Sequence, residues 1–498
     1  MQTRQGGRSR SSGARGGWRF PCLAAAGLLG LSAAPVLAQG APAEASAGLS
    51  HGDTAWMLIS AALVMLMVPG LALFYGGMVR RKNVLATMLH SVGVLALVGV
   101  EWVVVGYALT FGSDVHGLIG WDWSRVLLWN VMPGDLRAGT HVPEYVFAMY
   151  QGMFAIITPA LIAGAFAERV TFRAYALFAV LWSLVVYNPV AHWIWGGGWM
   201  GPAASSAAAG FHLGALDFAG GMVVHVTAGA SALVTALYLG RRIGYPNQVL
   251  QPNSLVLTLL GAGLLWFGWF GFNGGSAIAS DSSAALAFTT TQIAAAGGAL
   301  TWLLAEWLRH GKPTTLGVAS GLVAGLATIT PCAGYVSPAA ALLIGGAAGV
   351  LCYGAVLLKG RLGYDDSLDA FGVHGVGGFF GALCLGVFAR LAYNPQGADG
   401  LITGQTHQFV AQLSAAAVVA VYAMVATWVL VVVLEKAVGF RASEFEEIEG
   451  LDVALHGEQG WMLESMPEPS AEMAGTQGVS VDQSVDQSAE ERDPTLAR

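Results

Sequence analysis

The chain has 498 residues, of which 55% are hydrophobic and only 11% charged, against roughly 25% charged residues in a soluble domain. Its 68 glycines are about twice the ordinary share of roughly 7%, and glycine is frequent in membrane helices. A net charge of −7 on so apolar a chain excludes a water-exposed globule and a nucleic-acid-binding protein, and points to a chain that crosses a bilayer many times.

Arg4, Arg8, Arg10, Arg15 and Arg19 precede the apolar run Leu23 to Leu37, and Val36-Leu37-Ala38 supplies a small-residue cleavage pattern. Residues 1–38 are therefore expected to be a signal peptide, with an uncleaved first helix as the alternative. Residues 39–50 then form a short external segment, and 51–435 form the membrane domain. Eleven stretches approach the roughly 20 apolar residues a span needs: 54–76, 84–110, 144–165, 173–195, 217–239, 254–275, 284–307, 315–331, 337–358, 369–392 and 408–435. With the mature N-terminus outside, the inside connections and the tail carry Arg80, Arg81, Lys82, Arg169, Arg173, Arg241, Arg242, Arg309, Lys312, Lys359, Arg361, Lys436 and Arg441. The outside connections carry only Arg125, Arg137 and Arg390. That bias matches the enrichment of Lys and Arg in cytoplasmic loops, so the C-terminus is expected in the cytoplasm.

The expected fold is an all-α polytopic membrane protein with eleven transmembrane helices, arranged as two inverted five-helix repeats plus a final helix. Five is odd, so the second repeat sits upside down, and such architectures place the substrate path at the repeat interface. Span 5 opens with Asp217 and reaches His225, while span 10 opens with Asp369 and reaches His374. Ionisable groups at membrane depth are functional hypotheses by default. His225 lies about 12 Å inside one end of its span and His374 about 7–8 Å inside the opposite end of its own. Gly220, Gly221 and Gly229, and Gly372, Gly375, Gly377 and Gly378, allow close helix approach around them. Two neutral imidazoles in contact make a hydrogen-bonding, proton-passing pair. They are too few for a zinc site, and neither HExxH nor CxxC is present, so no metal or cofactor is expected. Cys332, Cys352 and Cys384 form no spaced set. His90 and His192 read as structural, and Glu101 as protonated or paired at an interhelical contact.

Aromatic and hydroxyl residues gather toward the outer ends of the spans: Tyr150 and Phe154 on span 3, Trp195 on span 4, Trp269, Phe272 and Ser276 on span 6, and Thr330 on span 8. Aromatic faces attract cations within about 6 Å, and a serine oxygen accepts hydrogen bonds from a donor-rich cation.

These motifs resemble the ammonium transporter (Amt/Mep/Rh) superfamily, bacterial Amt branch, over about residues 50–461. The resemblance rests on the strings beginning Pro69-Gly-Leu-Ala-Leu-Phe, Gln151-Gly-Met-Phe, Asp217-Phe-Ala-Gly-Gly, Trp266-Phe-Gly-Trp-Phe and Asp365-Asp-Ser-Leu-Asp. It implies a homotrimer with one pore per subunit, in the inner membrane, serving nitrogen metabolism. It implies that Trp195, Phe154 and Ser276 form an ammonium-recruitment site flanked by Trp269 and rimmed by Tyr150, and that Phe154 and Phe272 form a phenylalanine gate. His225 and His374 would be twin pore histidines, Asp217 a buried acid near the outer site and Thr330 an outer hydroxyl. Ammonium, unlike potassium, can shed a proton when burial lowers its pKa and pass as neutral ammonia. The proton crosses separately along the histidines, or it is left outside.

Residues 436–461 resemble the family's cytoplasmic regulatory tail, which packs across subunits and implies a PII-type regulatory protein as partner. Residues 462–498, rich in Ser, Glu, Gln and Asp, read as a disordered acidic terminus. The competing function is an ammonium sensor signalling through the tail. An enzyme is not expected, because no nucleophile–base or metal motif is present.

Overall fold

The computed structural model describes residues 48–202, 211–248 and 250–461. The signal peptide expected over 1–38, nearly all of the segment 39–50 and the acidic terminus expected over 462–498 lie outside these residues. Eleven long helices follow in order: α1 His51–Met78, α2 Arg81–Phe111, α3 Glu144–Phe166, α4 Phe172–Trp195, α5 Gly221–Leu239, α6 Leu255–Ala277, α7 Ser282–His310, α8 Thr315–Ile329, α9 Pro338–Leu362, α10 Phe371–Phe388 and α11 His407–Val438. Among the described residues, nine are long and apolar enough to cross a bilayer. Of the other two, α7 is long but diluted by threonines, glycines and Gln292. The shorter α8 stops before Pro331, which has no N–H to continue a helix. Side chains of Ser50, Thr171, Ser254, Asp281, Thr314 and Ser337 cap α1, α4, α6, α7, α8 and α9, satisfying amides the helices leave open.

The helix pairs recur between the two halves. The contacts α1–α2, α1–α3, α2–α3 and α2–α4 return as α6–α7, α6–α8, α7–α8 and α7–α9, while α1 lies along α6 and α5 crosses α10. Two five-helix repeats thus face each other, and α11 packs on α4, α5 and α10 as the addition. One feature outside this plan was not foreseen. Between α2 and α3 an antiparallel ribbon pairs β1 Ser113–Val115 with β2 Ile119–Trp121.

The face at which α1 begins is here the vestibule face, and the opposite one is the tail face. At the tail face, Glu168, between α3 and α4, receives Arg80 and Arg242 at 3.1 Å each. Asp365, before α10, receives Arg242 at 2.8 Å and Arg169 at 3.3 Å. Burial pushes both carboxyls up, but the arginines more than offset it and hold them below the ordinary range. Burial weakens the grip of Arg169 on its proton to about 10.

The tail adds a short helix, α12 Glu444–Glu449, opened by a reciprocal capping box between Ser443 and Glu446, and a further turn Asp452–His456. Glu447 accepts hydrogen bonds from Ile243 N at 2.6 Å and Arg441 at 2.9 Å. Asn83 makes no side-chain cap for the helical run that follows it. Instead the Asp452 carboxylate accepts from Leu85 N at 3.0 Å and Ala86 N at 2.8 Å, and Leu451 N donates to Asn83 Oδ1 at 2.9 Å. The tail therefore docks on the tail-face ends of its own chain.

Candidate functional site

The site is set by how α5 and α10 begin. Asp217 accepts hydrogen bonds from the amides of Gly220, Gly221, Met222 and Val223, at 2.7–3.1 Å. Four open helix-start donors are thus met by one carboxylate. In the second repeat the same place is held by Asp366, which accepts from Ala370 N at 3.1 Å and Phe371 N at 2.8 Å. The third residue after each aspartate takes a left-handed backbone, Gly220 at φ +106° and Asp369 at φ +61°. The equivalence expected between Asp217 and Asp369 is therefore corrected. Asp369 forms an ion pair with Lys359, and burial raises the Asp366 carboxyl to about 6.

Each aspartate stands eight residues before a histidine, Asp217 before His225 and Asp366 before His374. Both histidines sit in the first turns of their helices, Gly221–Val226 and Phe371–Gly375, as the fifth and the fourth residue. Their rings stack with centroids 5.2 Å apart and planes 13° apart. Glycine makes this possible. A Cβ on Gly378 would come 2.6 Å from the Cβ of His225, and one on Gly229 would run into the backbone of Gly375. Among the described residues both His225 nitrogens and His374 Nδ1 are buried with no hydrogen-bond partner. Unpaired buried polar atoms call for a function, since each costs free energy.

Toward the vestibule face the histidines are covered by aromatic rings. Trp269 stacks 5.6 Å from His225, and its N–H donates to Thr330 Oγ1 at 2.9 Å. Phe154 and Phe272 close over this space with centroids 4.2 Å apart, and Trp195 stands edge-on to Phe154 at 6.1 Å. Beneath the phenylalanines is a void of about 10 Å³ lined by Ile157, Leu265, Trp269, Phe272, His225 and His374 among others. That is room for about one water-sized molecule. Above them opens a cavity of about 490 Å³ whose walls include Gln151, Phe154, Trp195, Asp217 and Ser276.

The expected outer group thus divides in two. Phe154, Trp195 and Ser276 line the vestibule, whereas Trp269 and Thr330 lie below the phenylalanines. Tyr150 is not at the rim: it is fully buried, and its O–H lies 2.8 Å from Phe272 O and 3.1 Å from both Gly271 O and Ser276 Oγ. It braces the end of α6. The Trp195 N–H donates to the Asp217 carbonyl at 2.8 Å, which fixes the indole. Glu101 accepts from Ser183 Oγ at 2.9 Å and Asn188 Nδ2 at 2.8 Å, tying α2 to α4. His192 contacts the Thr110 carbonyl at 2.8 Å and Asp114 at 2.9 Å, and His90 is packed among Phe166, Phe172 and Tyr175. None of these three lines either space. The residues passed over were Asp366 and Gln151. The eight-residue step from Asp217 to His225 pointed to the first, and the helical spacing Phe147, Gln151, Phe154 to the second.

Helices in two inverted sets around a narrow internal space, shut by two packed phenyl rings and floored by imidazoles, define a polytopic membrane protein of the transporter and channel class. The model of the Ammonium Transporter Family matches residues 55–461, and the chain belongs to that family. It is 46% identical over 414 residues to the ammonium transporter of Bacillus subtilis (strain 168), covering 83% of this chain and 99% of that one. It is 49% identical over 418 residues to the putative ammonium transporter of Methanothermobacter thermautotrophicus, covering 83% and 99%. Among solved structures, Candida albicans Mep2 matches with a TM-score of 0.74 at 35% identity, over 81% of this chain and 89% of that one. A structure titled Sensor Amt Protein matches with a TM-score of 0.73 at 28% identity, over 81% and 98%.

Proposed function

We propose that the protein carries ammonium across the membrane by collecting the cation in the vestibule, removing a proton at the phenylalanine gate and passing ammonia along the histidines. The observation that carries this reading is the stacked His225–His374 pair behind the Phe154–Phe272 lid, with about 10 Å³ between. A hydrated ion does not fit such a space, and stripping an ion in apolar surroundings costs tens of kcal/mol in the Born limit, as a rough bound. Ammonium escapes that cost by giving up H⁺, whereas potassium cannot.

In the vestibule the Trp195 and Phe154 rings offer π faces to the cation. Ser276 Oγ, which donates to the Phe272 carbonyl at 2.9 Å, keeps lone pairs to accept from it. Trp269, Tyr150 and Thr330 act by positioning: Thr330 holds the indole beside His225, and Tyr150 holds the strand of backbone that carries Phe272. The unpartnered imidazole nitrogens then meet ammonia with hydrogen bonds. The proton follows separately along the histidines and ordered water, so transport carries charge.

The vestibule faces outward and the tail the cytoplasm of an inner-membrane protein cleaved after residue 38. That orientation is supported by the loop charges. Assembly as a homotrimer and docking of a PII-type regulator on the tail follow the family resemblance, and the docked tail of the single chain is compatible with both. A sensor function is the competing reading, prompted by the similarity to the Sensor Amt Protein.

Proteoliposomes on a solid-supported membrane test the proposal. Ammonium pulses should give currents and potassium pulses none. Ammonia flux without current transfers the proton to the outer solution and removes the relay. Flux no greater than in empty vesicles overturns transport in favour of sensing.

A further inference from the structure

The vestibule contains a polar side chain that the reading above leaves without work. Gln151 lies on α3 between Phe147 and Phe154, and all three line the 490 Å³ cavity. Their spacing of four and three residues puts them on one helix face. Gln151 Oε1 is buried and has no hydrogen-bond partner among the described residues. A half-turn of the terminal amide exchanges its oxygen and nitrogen, so the group can present either an acceptor or a donor to the cavity.

Two strong acceptors on the same wall are occupied. The Asp217 carboxylate is committed to four backbone amides. The Asp217 carbonyl receives the Trp195 indole. Arg137, the cation on the cavity wall, is stacked on Phe147 at 4.3 Å and paired with Glu144 at 3.5 Å. Of the side-chain oxygens on the cavity wall, those of Ser276 and Gln151 stand on α6 and α3, the helices that carry Phe272 and Phe154, and are thus placed beside a cation held at the gate with its four N–H groups.

We infer that Gln151 is a substrate-binding residue of the vestibule, its amide oxygen accepting an N–H of the ammonium ion beside the Trp195 and Phe154 rings. This rests on the proposed transport of ammonium. Because the contact is made before the gate, it sets the concentration at which the vestibule fills and leaves the rate of passage alone.

The test is ammonium flux into proteoliposomes across a concentration series for the wild type, Gln151→Leu, Gln151→Met and Gln151→Glu. Hydrogen bonds to charged groups are among the stronger ones, so Gln151→Leu and Gln151→Met should raise the half-saturating ammonium concentration about tenfold with maximal flux unchanged. Gln151→Glu, which keeps the acceptor, should stay at or below the wild-type value. The methionine variant, unbranched and adaptable, decides the matter if the leucine variant does not fold. Half-saturation within twofold of wild type in the apolar variants overturns the inference, as does a fall in maximal flux alone, which assigns a structural role. A silent wild type instead removes the transport reading itself.

Discussion

Asp217 and Asp366 are the same residue of two inverted repeats. Each opens a pore helix eight residues before a histidine, and each binds the first amides of that helix with both carboxylate oxygens. The pair sets the position of the two imidazoles, because a shift of either helix start would move its ring.

The two aspartates differ in how many donors they satisfy, and their substitutions should rank accordingly. An asparagine presents N–H where the carboxylate accepted, and each buried group left unpaired costs about 1–3 kcal/mol. Asp217→Asn should therefore lower the thermal midpoint of the detergent-solubilised protein more than Asp366→Asn. The reverse order would show that the amide count is not what these residues contribute.

A carboxylate at the pore centre changes which ions tolerate it. His225→Asp or His374→Asp supplies a negative charge where the neutral rings stand, and buried opposite charge stabilises a bare cation. Potassium currents should be absent in the wild type and should appear in both variants. Undiminished exclusion of potassium in both would mean that selectivity is settled above the histidines.

Trp269 and Thr330 form a single hydrogen-bonded unit. A double-mutant cycle of Trp269→Phe and Thr330→Ala should give a coupling of about 1 kcal/mol in stability. Each single variant should also reduce ammonium flux, since the ring beside His225 is no longer fixed. Strict additivity in stability would dissolve the unit.

Acid should act on the tail face. Glu168 and Asp365 are held below their ordinary range, so their stabilisation is complete above about pH 4, the unfolded value, and is lost as pH falls through the folded ones. Asp366, raised to about 6, works in the opposite sense, its contribution shrinking as pH climbs from about 4 to about 6. The thermal midpoint should fall below about pH 4. Arg242→Met should cost about 1–3 kcal/mol at neutral pH by leaving Glu168 with Arg80 and Asp365 with Arg169, and should flatten that acid limb. A wild-type midpoint unchanged between pH 5 and pH 3 is the contrary result.

Much of this molecule was legible in its sequence because lipid permits so few backbone solutions. Apolar length marks a span whatever its neighbours do, and α1 to α11 fall within a few residues of the stretches expected. The ribbon of Ser113–Val115 and Ile119–Trp121 was invisible, since three-residue strands carry no period. The sequence places Trp269 beside the recruitment site because it lies near the end of α6. Eight residues from Ala277 are already about 12 Å, which takes its ring below Phe272. Asp369 was matched to Asp217 because it is the aspartate nearest His374. Counting residues to the histidine instead of comparing strings selects Asp366, because hydrogen bonding to the first helical turn fixes that distance.

The Asp452 carboxylate meets the amides of Leu85 and Ala86 from more than 360 residues further along the chain. During synthesis the second helix is therefore inserted long before the group that finishes it exists. Its leading turn must wait without that partner until the tail has been made. A nascent polypeptide stalled before that aspartate would own all eleven long helices and still have one frayed, so a late-made turn acts as the clasp on one of the first.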